Sequence, residues 1–151
     1  MVLKTEILIY NLSGRRIPSR KFLNDLIQEV LIFLKEKNKI HLALVFIDPN
    51  ASRKLNKHWR NKNTATTVLS FPLKENLPLK LLEKEKVLGD IFLCPQEIED
   101  QAKKAKIPVL FFYKKLIVHS LLHLYGYSHN QKKEAQKMEI LENKIIDLLN
   151  K

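Results

Sequence analysis

Eleven residues in the last third of the chain predict a helix, its end and the path of the chain beyond it. The segment reads His119-Ser-Leu-Leu-His123-Leu-Tyr-Gly126-Tyr-Ser-His129. His119 and His123 are four residues apart, which places both rings on one face of a helix, about 6 Å apart along its axis. Gly126 is the residue type that ends a helix in a left-handed turn. The chain can then reverse and bring His129 toward the other two rings.

Three imidazoles that converge in this way are a typical donor set for a transition metal. Three neutral nitrogen ligands leave a fourth tetrahedral position open for water, as in catalytic zinc sites. Water in that position becomes a nucleophile near neutral pH. We therefore predict a metal-dependent hydrolase in which His119, His123 and His129 hold one zinc ion or another transition metal. His41 and His58 lack this spacing and are not predicted to be ligands.

The apolar periodicity predicts the order β-α-β-α-β-β-α-α-α, which is typical of one α/β (α+β) domain, residues 1–151, with helices covering a mixed four-stranded sheet. The run HLALVFID predicts a fully buried strand, and Asn50 or Ser52 is expected to cap the next helix. The predicted strands are residues 4–11, 41–48, 66–71 and 87–94, with an exposed loop at 73–86. The predicted helices run from a cap at Ser19 to residue 34, and over residues 50–59, 96–105, 108–125 and 131–149.

The chain is strongly basic, with 27 Lys and Arg against 16 Asp and Glu and a net charge of +11. Such an excess attracts polyanions, although it can equally be a solvated surface. The single cysteine, Cys94, excludes an internal disulfide. No stretch approaches the roughly 18 apolar residues that a membrane span requires. We therefore expect a cytoplasmic protein with no membrane partner.

Part of this charge is concentrated just before the strand predicted at residue 66. The cations there are Arg53, Lys54, Lys57, Arg60 and Lys62. His58 and Trp59 lie among them, and aromatic rings can stack on unpaired bases. The segment is thus either a candidate surface for single-stranded nucleic acid or an ordinary solvated helix face.

The histidine segment resembles the signature H-G-x-L-H-L-x-G-Y-D-H of the YbeY family of bacterial endoribonucleases, the rRNA maturation factors. Two further segments are similar to this family: TTVLSFP at 66–72 resembles T-D-V-L-S-F-P, and LGDI at 88–91 matches L-G-D-I. Arg60 follows Leu55-Asn56 as an arginine does in the family. The chain differs from the family at Ser120, which replaces a glycine, and at Thr67 and Ser128, which replace acids. The signature is matched at His119, Leu122, His123, Leu124, Gly126, Tyr127 and His129.

The resemblance implies a hydrolase fold with a sheet and helices around a cleft and a zinc-like ion on the three histidines. It implies cleavage of single-stranded RNA in 16S rRNA 3′-end maturation and ribosome quality control, with rRNA and the ribosomal subunit as partners. Arg60 is the candidate catalytic residue, because its fork of donors suits a phosphate better than a lysine does. Asp90 is expected either to orient a histidine or to pair with a lysine.

Two alternative functions remain open at this point. The ligand spacing also occurs in the metzincin proteases, H-E-x-x-H-x-x-G-x-x-H, where the glutamate is the general base. Ser120 stands at that position and cannot accept a proton from water at neutral pH, so a metalloprotease would lack its base. The second alternative is a non-enzymatic ribosome-assembly factor that uses the ion for structure and the positive charge to bind rRNA.

Overall fold

The computed structural model describes residues 5–73 and 85–150, and the elements within them follow the predicted order. This confirms the predicted α/β (α+β) class with a mixed four-stranded sheet. The strands are β1 (Thr5–Asn11), β2 (Lys39–Phe46), β3 (Val68–Pro72) and β4 (Glu85–Leu93). The helices are α1 (Arg20–Phe33), α2 (Pro49–Arg60), α3 (Pro95–Ala105), α4 (Val109–Leu124) and α5 (Lys132–Leu149).

The strands lie in the order β1-β2-β4-β3. β1, β2 and β4 run parallel, and β3 is antiparallel to β4 at one edge. The β2–β4 ladder shifts register between His41 and Leu42, where Gly89 of β4 takes a φ of +138°. A glycine is needed there because residues with a Cβ rarely adopt such a φ.

Strand β2 is buried on one face only, so the prediction of a fully buried strand is wrong. Its residues alternate strictly, with Ile40, Leu42, Leu44 and Phe46 buried and the residues between them half-buried. The core cluster joins the first set to side chains of α1, α3, α4 and α5. Because these helices pack against the same face of the sheet, the other face of β2 keeps contact with solvent.

The cap of α2 also differs from the prediction. Asp48, rather than Asn50 or Ser52, caps the helix, since its carboxylate accepts a hydrogen bond from the backbone N–H of Ala51 at 2.8 Å. Pro49 then occupies the first helical position, where its fixed φ fits and its missing N–H costs nothing. The hydroxyl of Ser52 is used elsewhere, because it accepts from the N–H of Thr66 and donates to its carbonyl, both at 2.9 Å.

The loop predicted at 73–86 ends two residues earlier than expected, at its C-terminal end. Glu85 and Lys86 belong to β4, while residues 74–84 lie outside the described part of the chain.

Within the described ranges, no single helix combines the length and hydropathy that crossing a membrane requires; α3 and α4 meet that criterion only as a pair bent by 117°.

Glu36 lies just after α1, and its side chain is only 7% exposed. Its carboxylate links this end of α1 to the end of α4 and to β4. It accepts hydrogen bonds from the hydroxyl of Tyr125 at 2.6 Å and from the N–H groups of Lys37 and Asn38 at 3.0 and 3.2 Å. The ammonium of Lys86 lies 3.7 Å away. Burial acts to raise the pKa of Glu36, but these donors and this cation outweigh it and hold the pKa below its usual range.

A carboxylate with a lowered folded-state pKa stabilises the fold above its unfolded pKa, and this contribution is lost as pH falls through the folded pKa. We therefore expect Glu36→Gln to lower the free energy of unfolding by about 2 kcal/mol at pH 7, because hydrogen bonds to a charged group are lost. The difference in free energy of unfolding between variant and wild type should shrink below about pH 4. Urea unfolding of both proteins at a series of pH values measures this difference. Glu29→Gln, an exposed position in α1, is the control and should show no such deficit. A Glu36→Gln deficit that is constant with pH would contradict the assignment.

Candidate metal centre

The C-terminal end of α4 positions the histidine segment. α4 contacts α1, α3, α5, β3 and β4, which makes it the central helix of the described fold. After Leu124 the chain closes the helix with paired hydrogen bonds: the N–H of Gly126 donates to the carbonyl of His123 at 2.9 Å, and that of Tyr127 to Leu122 at 3.0 Å. Gly126 takes a φ of +97°, as the predicted left-handed end requires. The following residues therefore turn back toward the helix.

This turn brings the three predicted histidines together. The ring centroids of His119 and His123 lie 4.5 Å apart, and that of His129 lies 5.6 Å from the first and 4.8 Å from the second. Each ring offers one nitrogen, and the three nitrogens lie within 4.8 Å of one another. His119 and His123 are half-buried, while His129 is exposed. The arrangement is a cluster of nitrogen donors that is open to solvent on one side.

The outer nitrogens of two of these rings already have acceptors. Nδ1 of His119 contacts the carboxylate of Glu142, and Nδ1 of His123 lies 3.0 Å from the backbone carbonyl of Tyr127. An oxygen acceptor at Nδ1 favours the tautomer that carries its proton there. The two Nε2 atoms, 2.9 Å apart, then face each other with their lone pairs. Two lone pairs at this distance repel unless a proton or a cation lies between them.

Electrostatics also favours the neutral form of His123 that metal binding requires. Burial lowers the pKa of this ring, and the neighbouring His119 lowers it further, although the hydrogen bond to Tyr127 acts in the opposite direction. A neutral imidazole has a free lone pair, whereas a protonated one has none.

Ser120, next to the first histidine, is fully buried at 0% exposure, and its hydroxyl has no partner among the described residues. It faces the core rather than the open side of the cluster. A metalloprotease of the metzincin type would need its general base at this position, and a buried serine cannot serve as one.

Arg60 lies in the last turn of α2, exposed, and makes no hydrogen bond or ion pair with any described residue. No described contact joins it to the histidines. Arg53, by contrast, is held by the side chains of Asn63 and Asn50, at 2.8 and 3.0 Å. No described residue therefore occupies the guanidinium donors of Arg60, which could bind an external anion.

The other cations of this basic segment, Lys54, Lys57 and Lys62, are also exposed, and residues 49–73 contain no acidic side chain. Trp59 is 62% exposed and packs edge-on against Phe71, with ring centroids 5.6 Å apart. An exposed indole that packs on Phe71, among cations that have no acidic partner in the described part of the chain, is a surface to which an unpaired base and its phosphates could both bind.

The prediction that Asp90 orients a histidine is wrong, while its pairing with a lysine is tested only for the lysines of residues 5–73 and 85–150. Asp90 is exposed on β4, and it contacts neither a histidine of the cluster nor a lysine within the described ranges. The carboxylate that does contact the cluster is Glu142 of α5, which the sequence reasoning missed. A signal was present, because Glu142 stands in the otherwise apolar stripe formed by Met138, Ile145 and Ile146.

Comparison with known proteins identifies the family. The family model described as Endoribonuclease YbeY matches residues 10–150. The chain belongs to the YbeY family.

Curated YbeY relatives match over most of this chain. Endoribonuclease YbeY of Buchnera aphidicola subsp. Acyrthosiphon pisum is 35% identical over 138 residues, which are 91% of this chain and 85% of the relative. Endoribonuclease YbeY of Phytoplasma australiense is 35% identical over 145 residues, 96% of each chain. That of Xylella fastidiosa is 41% identical over 108 residues, 72% of this chain and 67% of the relative. The resemblance seen in three short segments therefore extends over most of this chain.

The fold itself resembles that of a solved structure. The solution structure of TM1509 from Thermotoga maritima superposes with a TM-score of 0.60 over 93% of this chain and 87% of that one, at 23% identity.

Proposed function

We propose that this chain is a metal-dependent endoribonuclease that cleaves single-stranded RNA, with its metal ion held by His119, His123 and His129. The observation that carries the proposal is the convergence of three ring nitrogens within 4.8 Å in a member of the YbeY family. An ion bound there would lower the pKa of coordinated water and polarise a phosphoryl oxygen.

The donor set fits such an ion. A tetrahedral centre with metal–nitrogen bonds of 2.0–2.1 Å needs about 3.3 Å between ligand atoms. The Nε2 atoms of His119 and His123 are 2.9 Å apart, and one nitrogen from each of the three rings lies within 4.8 Å of the other two, which is close to this spacing. We propose zinc as the ion, although three imidazoles also accept nickel, copper or iron.

We propose that the residues of α2 bind and stabilise the RNA. Arg60 can make two parallel hydrogen bonds to a phosphate and offset the charge that builds on it during hydrolysis. Lys54, Lys57 and Lys62 can hold the flanking phosphates, and Trp59 can stack on a base. Support comes from the exposure of these side chains and the absence of acidic side chains in residues 49–73.

Arg60→Ala should lower kcat/KM for a single-stranded RNA by roughly 10- to 100-fold, because a preorganised donor to the phosphate is lost. Lys57→Ala removes one charge from the same exposed helix turn and is the matched control. It should lower kcat/KM by less than about threefold and act mainly through the salt dependence of binding. Steady-state cleavage of a fluorescent RNA measures both. Equal losses of kcat/KM in the two variants would mean that Arg60 contributes only positive charge and not specific hydrogen bonds to the phosphate.

We further propose that the physiological substrate is rRNA, with a role in 16S rRNA 3′-end maturation and ribosome quality control. The ribosomal subunit is then the partner, and the site of action is the cytoplasm. The family supports this role, and the net charge of +11 supports binding to a large polyanion. Residues 1–151 would act as one hydrolase domain.

The proposal is tested by incubating the purified chain with a labelled RNA as a single strand and as a duplex. We expect cleavage of the single strand only, its loss after chelation, and its return when Zn²⁺ is restored. RNA binding without turnover under any metal would instead favour a non-enzymatic assembly factor. Chelator-sensitive peptide hydrolysis would favour a metalloprotease.

A further inference from the structure

Glu142 is a carboxylate placed among apolar side chains. It lies on α5, one helical turn from Met138 and from Ile146, both of which are buried in the core cluster. Its side chain is 23% exposed. Partial burial of a carboxylate is unfavourable unless a partner compensates for the lost hydration. The face that α5 turns toward α4 therefore carries a charged group whose presence needs a reason beyond packing.

The partner of Glu142 is the outer nitrogen of the first histidine. Its carboxylate contacts Nδ1 of His119, 23 residues earlier in the chain and on a different helix. Because a carboxylate at neutral pH only accepts hydrogen bonds, the Nδ1 atom must carry the proton. Nε2 of His119 is then left as an unprotonated donor, directed toward Nε2 of His123.

The two half-buried rings of the cluster are held in different ways. His123 is oriented by the carbonyl of Tyr127, a neutral acceptor within the same turn. His119 is oriented by a full negative charge that arrives from α5. A carboxylate behind a metal-ligating histidine fixes the tautomer and ring orientation and raises the basicity of the ligand nitrogen. Since the cluster has only neutral nitrogens, that charge also offsets the charge of a divalent cation.

We propose that Glu142 is a positioning residue for the metal centre, which holds His119 in the Nδ1-protonated tautomer and thereby strengthens binding of a divalent ion. The inference rests on the proposed function, because it assumes that the three histidines bind a metal. Glu142 acts through His119 and does not touch the ion.

Two variants separate the charge of Glu142 from its role as an acceptor. Glu142→Gln keeps the shape and one acceptor oxygen but removes the charge. Glu142→Leu removes the acceptor and suits the apolar stripe, so the fold should persist. Competition of the full-length variants with a chromophoric chelator for Zn²⁺ measures affinity. We expect about 10-fold weaker binding for the glutamine variant and up to about 100-fold for the leucine variant. Glu139→Gln, an exposed carboxylate on the same helix, should bind as wild type does.

A second measurement is independent of the metal. Nitrogen-15 NMR of the metal-free protein reports the tautomer of His119, and we expect the Nδ1-protonated form in wild type and its loss in Glu142→Leu. Wild-type Zn²⁺ affinity in Glu142→Leu, or an unchanged tautomer, would overturn the proposal. If wild type itself bound no Zn²⁺ but showed the expected tautomer change, the proposed metal site would fail while the orienting role of Glu142 stood. Melting temperatures of the metal-free variants distinguish weaker metal binding from general loosening of α5.

Discussion

Replacing His123 with alanine is expected to lower kcat/KM for single-stranded RNA by more than about 1,000-fold and to remove stoichiometric metal from the purified protein. Loss of a partner behind a ligand costs 10- to 100-fold in metal affinity or activity, and loss of a ligand itself should cost more. His123 is the middle ring of the cluster, since its ring centroid lies closest to both neighbours, at 4.5 and 4.8 Å. Elemental analysis and RNA cleavage on the same preparation measure the two effects together.

The fold should survive this substitution. The alanine variant loses the hydrogen bond to Tyr127, worth about 1 kcal/mol, while the helix end keeps its backbone hydrogen bonds. His41→Gln is the control, because His41 lies on β2, where it faces Glu6 and Glu85 rather than the cluster. It should keep the wild-type metal content and rate. Undiminished RNA cleavage by His123→Ala would mean either that a contaminant cuts the RNA or that the histidine cluster takes no part in it.

Replacing Gly89 with alanine is expected to give the largest loss of stability, at least about 4 kcal/mol in the free energy of unfolding. A Cβ at this position would overlap the carbonyl oxygen of Phe71 and lie 3.0 Å from Cα of Pro72. Both neighbours are backbone atoms of β3, so no side-chain rotation can relieve the overlap. The φ of +138° adds strain of its own for any residue with a side chain.

Gly14→Ala separates strain from collision. Gly14 also has a positive φ, +71°, but nothing lies within 4 Å of the position that its Cβ would take. Gly14→Ala should lower the free energy of unfolding by only about 1 kcal/mol. Urea unfolding of both variants measures the difference between them. If Gly89→Ala were no more destabilised than Gly14→Ala, the close approach of β3 and β4 in the structure would be wrong.

The order of the elements was predictable because it depends on local patterns. Helical periodicity and β-branched runs act over a few residues, and so do the stop at Gly126 and the reversal that follows it. The cap of α2 shows where local reasoning fails even at short range. Asp48, Asn50 and Ser52 all have side chains that can cap, and the choice depends on the hydrogen bonds of Ser52 to Thr66, in the segment between α2 and β3.

Non-local pairings were not predictable in the same way. The strand order and the register shift at Gly89 depend on which strands meet, which no local pattern encodes. The choice between Asp90 and Glu142 as the partner of a histidine is of the same kind, because it depends on how α5 packs on α4. The three histidines are the opposite case, since one helix and one turn bring them together.

That locality has a thermodynamic consequence. His119 and His129 bound a segment of only eleven residues, and the turn between the rings is already closed by hydrogen bonds of its own backbone. Gathering the donors therefore costs little chain entropy, since the loop to be closed is short. The orienting carboxylate, by contrast, is delivered only when the final helix docks. The proposed affinity for an ion thus has a short-range part, set by the end of α4, and a long-range part, set by the packing of α5 against α4.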